Sequence, residues 1–347
     1  MAAAVHRFLP GIEIYGVDNE TTLQKALDLK YIDVAVPKLE NLPVDITLLF
    51  LGAPIEVNAA LLPEIVSYKE WHDLLITDMG STKASISALA ERLPGHHWSF
   101  IGGHPMAGSE KTGVEAANPL LFQNAVYVLT PVKAKNPPAD KLAFLIDLLY
   151  KIGARVIKLS PGFHDKLVAH VSHLPYAVAV SLINFIGEED KSEIFYQLAA
   201  GGYRDLTRIA QGSYAVWSNI IRDNKNCIIE AVDNLIKYLN TFKDCLEKEN
   251  FKKELHKAQK TRLKIPAGTK GLINPLVDLR IEIEDKPGIL ADITAILAAE
   301  NINIKDIAIL KIRENLAGVL QLSFEDLKTA RKASGLLQTR GYKTFEI

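Results

Sequence analysis

His104 stands in the stretch Gly102-Gly103-His104-Pro105-Met106-Ala107-Gly108-Ser109-Glu110-Lys111-Thr112-Gly113, where four glycines bracket one imidazole and one carboxylate. Pro105 fixes the backbone just after the histidine, and the glycines leave the rest of the stretch permissive. An imidazole held in this way can take a proton near neutral pH, because its unperturbed pKa is about 6.5. The same residues also read as a glycine-rich turn whose histidine faces water, so the surroundings of His104 have to decide.

Four other groups carry chemistry. Ile12-Glu13-Ile14-Tyr15-Gly16-Val17-Asp18 reads as a strand ending in an acid. In a dinucleotide-binding unit such an acid accepts hydrogen bonds from the adenosine ribose and disfavours a 2′-phosphate, so Asp18 would select NAD; the alternative is a plain strand-end turn. Met79-Gly80-Ser81-Thr82-Lys83 follows an apolar run and brings a hydroxyl to the end of a strand. His173 lies two residues before Pro175 in Ala169-His170-Val171-Ser172-His173-Leu174-Pro175, and reads either as a ligand-binding group or as a satisfied core histidine. Gly201-Gly202-Tyr203-Arg204-Asp205-Leu206-Thr207-Arg208 places two arginines after a glycine pair, and a guanidinium fork reads carboxylates through paired charge-assisted hydrogen bonds.

Three domains would position these groups. Residues 1–160 read as an α/β domain with a doubly wound, parallel Rossmann-type sheet. A helix end at Met1 to Leu9 is followed by short continuous apolar runs, 12–18, 45–51, 74–78 and 98–101, each leading into a loop, as strands buried on both faces do. Their carboxyl-terminal loops share one sheet edge, where ligands bind in such folds, so Gly52-Ala53-Pro54, Ser81 and His104 are expected along one crevice. No G-x-G-x-x-G precedes Asp18, although the pattern places one about 20 residues upstream. The first strand and the phosphate loop are therefore expected to be missing, and the chain as written to bind NAD poorly and be inactive or unstable beside a version extended upstream.

Residues 161–268 switch to helical spacing, with helices expected around 163–187, 191–198, 205–211 and 215–249. Helices so apolar in so small a domain predict a homodimer built through this region. After a linker from Pro266 to Pro275, residues 277–347 alternate strand and helix patterns in the order βαββαβ, a ferredoxin-like module.

The balance of 40 basic and 41 acidic residues argues against nucleic acid or an anionic membrane recognised by bulk charge. Two cysteines, Cys227 and Cys245, are too few for a disulfide framework and show no metal-ligand pattern, which points to a reducing cytoplasm. The run Val168–Ile186 contains His170, His173, Pro175 and Asn184, so a core or interface helix explains it better than a bilayer does. The first ten residues lack the apolar core of a signal peptide.

Taken in order, Asp78-x-Gly80-Ser81-x-Lys83, Gly103-His104-Pro105-Met106-Ala107-Gly108-Ser109-Glu110, Ser172-His173-Leu174-Pro175 and Gly202-Tyr203-Arg204-Asp205-Leu206-Thr207-Arg208-Ile209-Ala210 resemble the prephenate dehydrogenase family of tyrosine biosynthesis. The C-terminal module, with Asp285-Lys286-Pro287-Gly288 and Asn301-Ile302-Asn303-Ile304, is similar to an ACT domain. The resemblance covers essentially the whole chain. It implies NAD-dependent oxidative decarboxylation of prephenate to 4-hydroxyphenylpyruvate, with His104 as base and Ser81 orienting it or the substrate hydroxyl. It also implies that Arg208 clamps a substrate carboxylate, that His173 helps hold the substrate beside Gly202, and that Glu110 belongs to the active-site loop. Asp205 and Trp217 would lie near the subunit interface, and an amino acid, tyrosine by product logic, would bind near Gly288 and Asn301. Two alternatives stand beside this reading: arogenate dehydrogenase, and a non-catalytic amino-acid sensor that lost NAD binding.

Overall fold

Short apolar runs bounded by loops form the strands of the N-terminal part: Tyr15–Val17 (β1), Val34–Val36 (β2), Leu48–Leu51 (β3), Leu74–Asp78 (β4), Trp98–Pro105 (β5), Val126–Pro131 (β6) and Arg155–Lys158 (β7). The structure is a computed structural model that describes residues 1–108, 113–189, 194–264, 276–284, 286–313 and 316–346. It divides into two units, Met1–Asn250 and Phe251–Ile347. The expected linker, the start of the 191–198 helix, Glu110, Asp285, the Glu314-Asn315 turn and Ile347 lie outside the described residues.

In the first unit β1 and β2 form a parallel pair, and β3 to β7 form a sheet in sequence order. Strands β3, β4 and β5 are parallel, as continuous apolar runs predict. Strand β6 returns antiparallel to β5, and β7 is parallel to β6. The described residues between β5 and β6 hold only a 3-10 turn, Val114–Ala116, rather than a crossover helix, and a parallel partner would need that crossover. Among the described residues no strand pairs with the outer edge of β3 or joins the two sheets.

Every residue of β4 is buried, and its side chains alternate between two cores. Leu74 and Ile76 join Phe100, Trp98, Leu62 and Ile86 on one face, while Leu75 joins Ile101, Leu129, Leu145 and Leu149 on the other. The helix Ala2–Phe8 adds Ala4 and Val5 to the second core.

Pro161 opens the helical region. The helix Pro161–Val168 passes through a π-helical turn, Ala169–His173, into Leu174–Glu189. Pro175 has no N–H for an α-helical bond, and the wide turn just before it accommodates that loss. Gly201-Gly202 opens the helix Gly201–Thr207, which runs on as the 3-10 turn Arg208–Gln211. The single helix expected over 215–249 is two, Tyr214–Asp223 and Lys225–Glu247, interrupted at Asn224.

In the second unit the helix Lys252–Arg262 precedes Val277–Ile283 (β8), the helix Ile289–Ala299, Asp306–Arg313 (β9), Leu316–Phe324 (β10), the helix Leu327–Thr339 and Thr344–Glu346 (β11). The sheet order is β11-β8-β10-β9, antiparallel throughout, as the βαββαβ reading requires. Leu279, Ile281 and Ile283 of β8 point with Leu320, Leu322 and Phe324 into one core closed by Ile293, Leu297 and Leu337 of the helices. Asp326 caps the last helix by accepting from the Thr329 N–H at 2.7 Å.

Candidate functional site

The sequence places His104 in a permissive loop, and the structure corrects this: Gly102, Gly103 and His104 lie on β5, paired with Thr130, Leu129 and Val128 of β6. The glycines serve close packing. A Cβ on Gly102 would run into the Thr130 hydroxyl, and one on Gly103 would run into the main-chain oxygen of Asp78. His104 is therefore held on a strand between two neighbours, which is more rigid than a loop.

His104 is 9% exposed, and its Nδ1 lies 2.8 Å from His164 Nε2. His164 Nδ1 lies in turn 2.7 Å from Asp165 Oδ1. Asp165 reaches across to the helix Ala84–Arg92, which has no side-chain cap of its own. The Lys83 N–H donates to Asp165 Oδ1 and the Ala84 N–H to Oδ2, both at 2.8 Å. A carboxylate at a helix N-terminus is stabilised by those free N–H groups and by the helix dipole. Burial holds the His104 pKa well below the usual imidazole range, and the charges of His164, Lys83 and His173 add to this.

His173 sits on the π-helical turn, 3% exposed, with Nδ1 3.2 Å from Asn224 Nδ2. Asn224 Nδ2 also donates to the Asp165 main-chain oxygen at 2.8 Å, which accounts for the helix break at that residue. Burial brings the His173 pKa down to about 4 against a partly opposing effect of Asp165. The His173 ring meets Trp217 edge-on at 6.0 Å, and Trp217 stacks on Tyr176 at 3.6 Å.

Ser81 is half-buried in the loop that follows β4, and because β4 and β5 are adjacent and parallel, Ser81 and His104 leave the same sheet edge. Below them Lys83 and Asp78 form a fully buried ion pair. Asp78 also accepts from the Gly80 N–H at 2.8 Å and the Gly103 N–H at 3.1 Å, so it ties the Ser81 loop to the His104 strand. Arg208 is exposed on a 3-10 turn that packs against Leu174–Glu189, and Gly202 is exposed in the first turn of its helix.

On the cofactor side Asp18 is exposed at the end of β1, where Oδ1 accepts from the Asn19 N–H and Nδ2 at 2.7 Å each and no described residue bonds Oδ2. Gly52, Ala53 and Pro54 follow β3. Buried Asn58 fixes that turn, accepting from the Ala53 N–H at 3.1 Å and donating to the Leu51 main-chain oxygen at 3.3 Å. A side chain on Gly52 would crowd Met79 at 3.0 Å. An open carboxylate at the end of a parallel strand has the chemistry that the ribose hydroxyls of a dinucleotide need.

In the second unit Gly288, at φ +91°, starts the helix Ile289–Ala299 and borders a cavity of about 300 Å³ that also touches Ile283, Glu284, Lys286, Pro287 and Ile309. Asn301 lies past the other end of that helix, roughly 16 Å away by helix length. The structure therefore does not bring Gly288 and Asn301 together.

Sequence reasoning missed His164, Asp165, Asn224 and Asn58. The first two stand in Phe163-His164-Asp165, a His-Asp pair in the first turn of a helix, and nothing local links it to a residue 60 positions upstream.

Residues 1–158 match the family model described as prephenate dehydrogenase, nucleotide-binding domain, residues 160–261 the prephenate dehydrogenase dimerization domain, and residues 277–327 the ACT domain. Prephenate dehydrogenase of Bacillus subtilis is 35% identical over 354 residues, covering 99% of this chain and 94% of the relative. Among solved structures, prephenate dehydrogenase from A. aeolicus in complex with hydroxyphenyl propionate and NAD+ is similar with TM-score 0.65 at 29% identity, covering 76% of this chain and 91% of that one. Synechocystis arogenate dehydrogenase gives TM-score 0.66 at 27% identity, covering 76% and 93%. With a strand-held buried imidazole at the crest of a Rossmann-type sheet, a helical dimerisation domain and a C-terminal ACT domain, the chain belongs to the prephenate dehydrogenase family.

Proposed function

We propose that the chain catalyses NAD-dependent oxidative decarboxylation of prephenate to 4-hydroxyphenylpyruvate, with His104 as the base. The observation that carries this reading is a buried imidazole kept neutral by its surroundings, with Nδ1 engaged by His164 and Nε2 without a hydrogen bond to any described residue. A neutral imidazole in that setting takes the proton of the C4 hydroxyl as C4 becomes a carbonyl carbon. NAD, when bound, accepts the hydride that leaves C4. Loss of carbon dioxide from C1 then returns electrons to the ring and makes it aromatic, and the proton held at His104 goes back to the C4 oxygen.

Ser81, from the neighbouring strand end, orients that hydroxyl. Arg208 clamps one substrate carboxylate, and His173, neutral above pH about 4, donates a hydrogen bond rather than a second positive charge. Asp18 would hold the adenosine ribose and the Gly52-Ala53-Pro54 turn would border the dinucleotide.

Two copies of the chain pair through the helical region, which buries the apolar helix Pro161–Glu189; by length and composition that helix could cross a bilayer, and little of it is buried within one chain. Tyrosine is the effector, seated at the Gly288 cavity, where Glu284 and Lys286 carry the opposite charges that a free amino acid presents.

Steady-state formation of NADH with prephenate and with arogenate tests the activity. Turnover of prephenate with slow or no turnover of arogenate is expected. The reverse preference would move the chain to the arogenate reading, which the Synechocystis likeness supports. Calorimetric titration separates the sensor alternative, since a sensor binds tyrosine and not NAD.

A further inference from the structure

The contacts of His104 leave open which of its two ring nitrogens carries a proton, and only one arrangement leaves a base. Asp165 accepts two backbone N–H groups at the start of the helix Ala84–Arg92, one on each oxygen, as a carboxylate at a helix N-terminus does. A carboxylate can only accept hydrogen bonds, so the nitrogen of His164 that faces it, Nδ1 at 2.7 Å, carries hydrogen. A neutral imidazole has one N–H, so His164 Nε2 is then a lone pair. That lone pair lies 2.8 Å from His104 Nδ1, which has to supply the hydrogen between them. His104 Nε2 is thereby left bare. The order of protons along three residues is dictated from its anionic end.

We propose that His164 and Asp165 are positioning residues, resting on the assignment of His104 as base above: they lock His104 in the tautomer that presents Nε2 to the substrate. The pair behind His104 also prepares for the charge that follows. Once His104 takes a proton, its Nδ1–H still donates to His164, and the Asp165 carboxylate behind His164 offsets the buried positive charge. Other charged or titratable groups acting on His104 are Lys83, held by Asp78, and His173, both of which disfavour its protonation. Asp165 is the only carboxylate among the described residues that is bonded to this relay. His164 is 1% exposed and Asp165 3%, so water does not take over either contact.

Asp165→Asn is the discriminating variant, because the amide keeps the size of the side chain and its single oxygen can still accept from the Ala84 N–H. Its NH2 would donate to His164 Nδ1 and reverse the order, forcing hydrogen onto His164 Nε2 and then onto His104 Nε2. The direct readout is the 15N spectrum of the histidine side chains in the full chain without ligands. In the wild type His104 should show a protonated Nδ1 and a bare Nε2, and in Asp165→Asn the opposite. A wild-type spectrum with hydrogen on His104 Nε2 overturns the proposal without any variant, so a variant that fails to fold does not shield it. In kinetics Asp165→Asn should lower kcat for prephenate by about 10²–10⁴-fold with KM changed little, and add nothing further on top of His104→Asn. Asp165→Leu, which offers His164 no acceptor, removes the alternative in which the Asn oxygen simply takes the place of Oδ1; folded Asp165→Asn and Asp165→Leu proteins that both keep the wild-type His104 tautomer, or both keep kcat within about threefold of wild type, refute the positioning role. Failure of the wild type to oxidise prephenate would instead strike the assigned reaction and leave the tautomer result standing.

Discussion

Phe100, Ile76 and Leu129 of the sheet region are all 0% exposed, whereas Leu198, Tyr214 and Tyr238 of the helical region are 76%, 84% and 66% exposed. Both regions are comparably apolar in sequence, yet residues 1–160 close their cores within one chain and residues 161–250 do not. A sheet covered by helices on both faces has nowhere else to put its side chains, while helices such as Pro161–Glu189 and Lys225–Glu247 present apolar stripes outward. The exposed stripe is the surface that a dimerisation domain needs. The candidate site combines both regions, since His104 comes from the sheet and its supporting pair His164-Asp165 from the first helix after it.

The largest effect should come from the chemistry of the sheet side. His104→Asn is expected to lower kcat by about 10²–10⁴-fold, about 3–5 kcal/mol of barrier, while thermal unfolding stays close to wild type. A near-normal kcat in stopped-flow or steady-state assays would remove His104 as base. Phe100→Ala should cost roughly 3–5 kcal/mol of stability by opening a cavity in a core with no outlet. Denaturant titration should give that loss at every protein concentration; a concentration-dependent loss would contradict the self-contained sheet.

His173 should make stability depend on pH. Its folded pKa of about 4 lies below the unfolded value of 6.5, so between those values the unfolded chain binds more protons. The contribution is fully present above pH 6.5 and is lost as pH falls toward 4, amounting to at most about 3 kcal/mol. His104, also lowered, acts in the same direction. Urea midpoints measured across that window in wild type and His173→Gln should diverge at high pH and converge at low pH, and parallel curves would count against the burial argument.

The smallest effect is expected on the helical side. Ile229 and Ile236 lie seven residues apart on one face of Lys225–Glu247, both about half exposed. Ile236→Asp should weaken the dimer by about tenfold or more, on the order of 1.4 kcal/mol or above, without unfolding the chain. Sedimentation across a dilution series reads this directly. A wild type that remains monomeric at all concentrations would erase the contrast between the two regions.

Much of the fold was legible because it is local. Leu74–Asp78 reads as a buried strand from its unbroken apolar run and is observed with those boundaries, while the alternation that begins at Val277 reads as a half-buried strand and is observed as Val277–Ile283. The 215–249 pattern, by contrast, could not reveal its break, since helical spacing continues through Asn224 and only the buried contacts of that side chain interrupt it. Gly102 and Gly103 were legible as special, but the reason they are glycines, the approach of Thr130 and Asp78 from two neighbouring strands, is a tertiary one.

By itself the sequence determined the order of the domains, the sheet edge that carries Ser81 and His104, and the helical spacing of the apolar residues, because these follow from periodicity within a few residues. Only the tertiary structure decided that His104 sits on a strand, that His164 and Asp165 stand behind it and that Asn224 supports His173, because each contact joins residues far apart in sequence: 24 positions for His104 and Val128, and at least 51 for the others. A proton acceptor is recognisable by its residue type. The nitrogen that does the accepting is chosen by neighbours that sequence distance conceals.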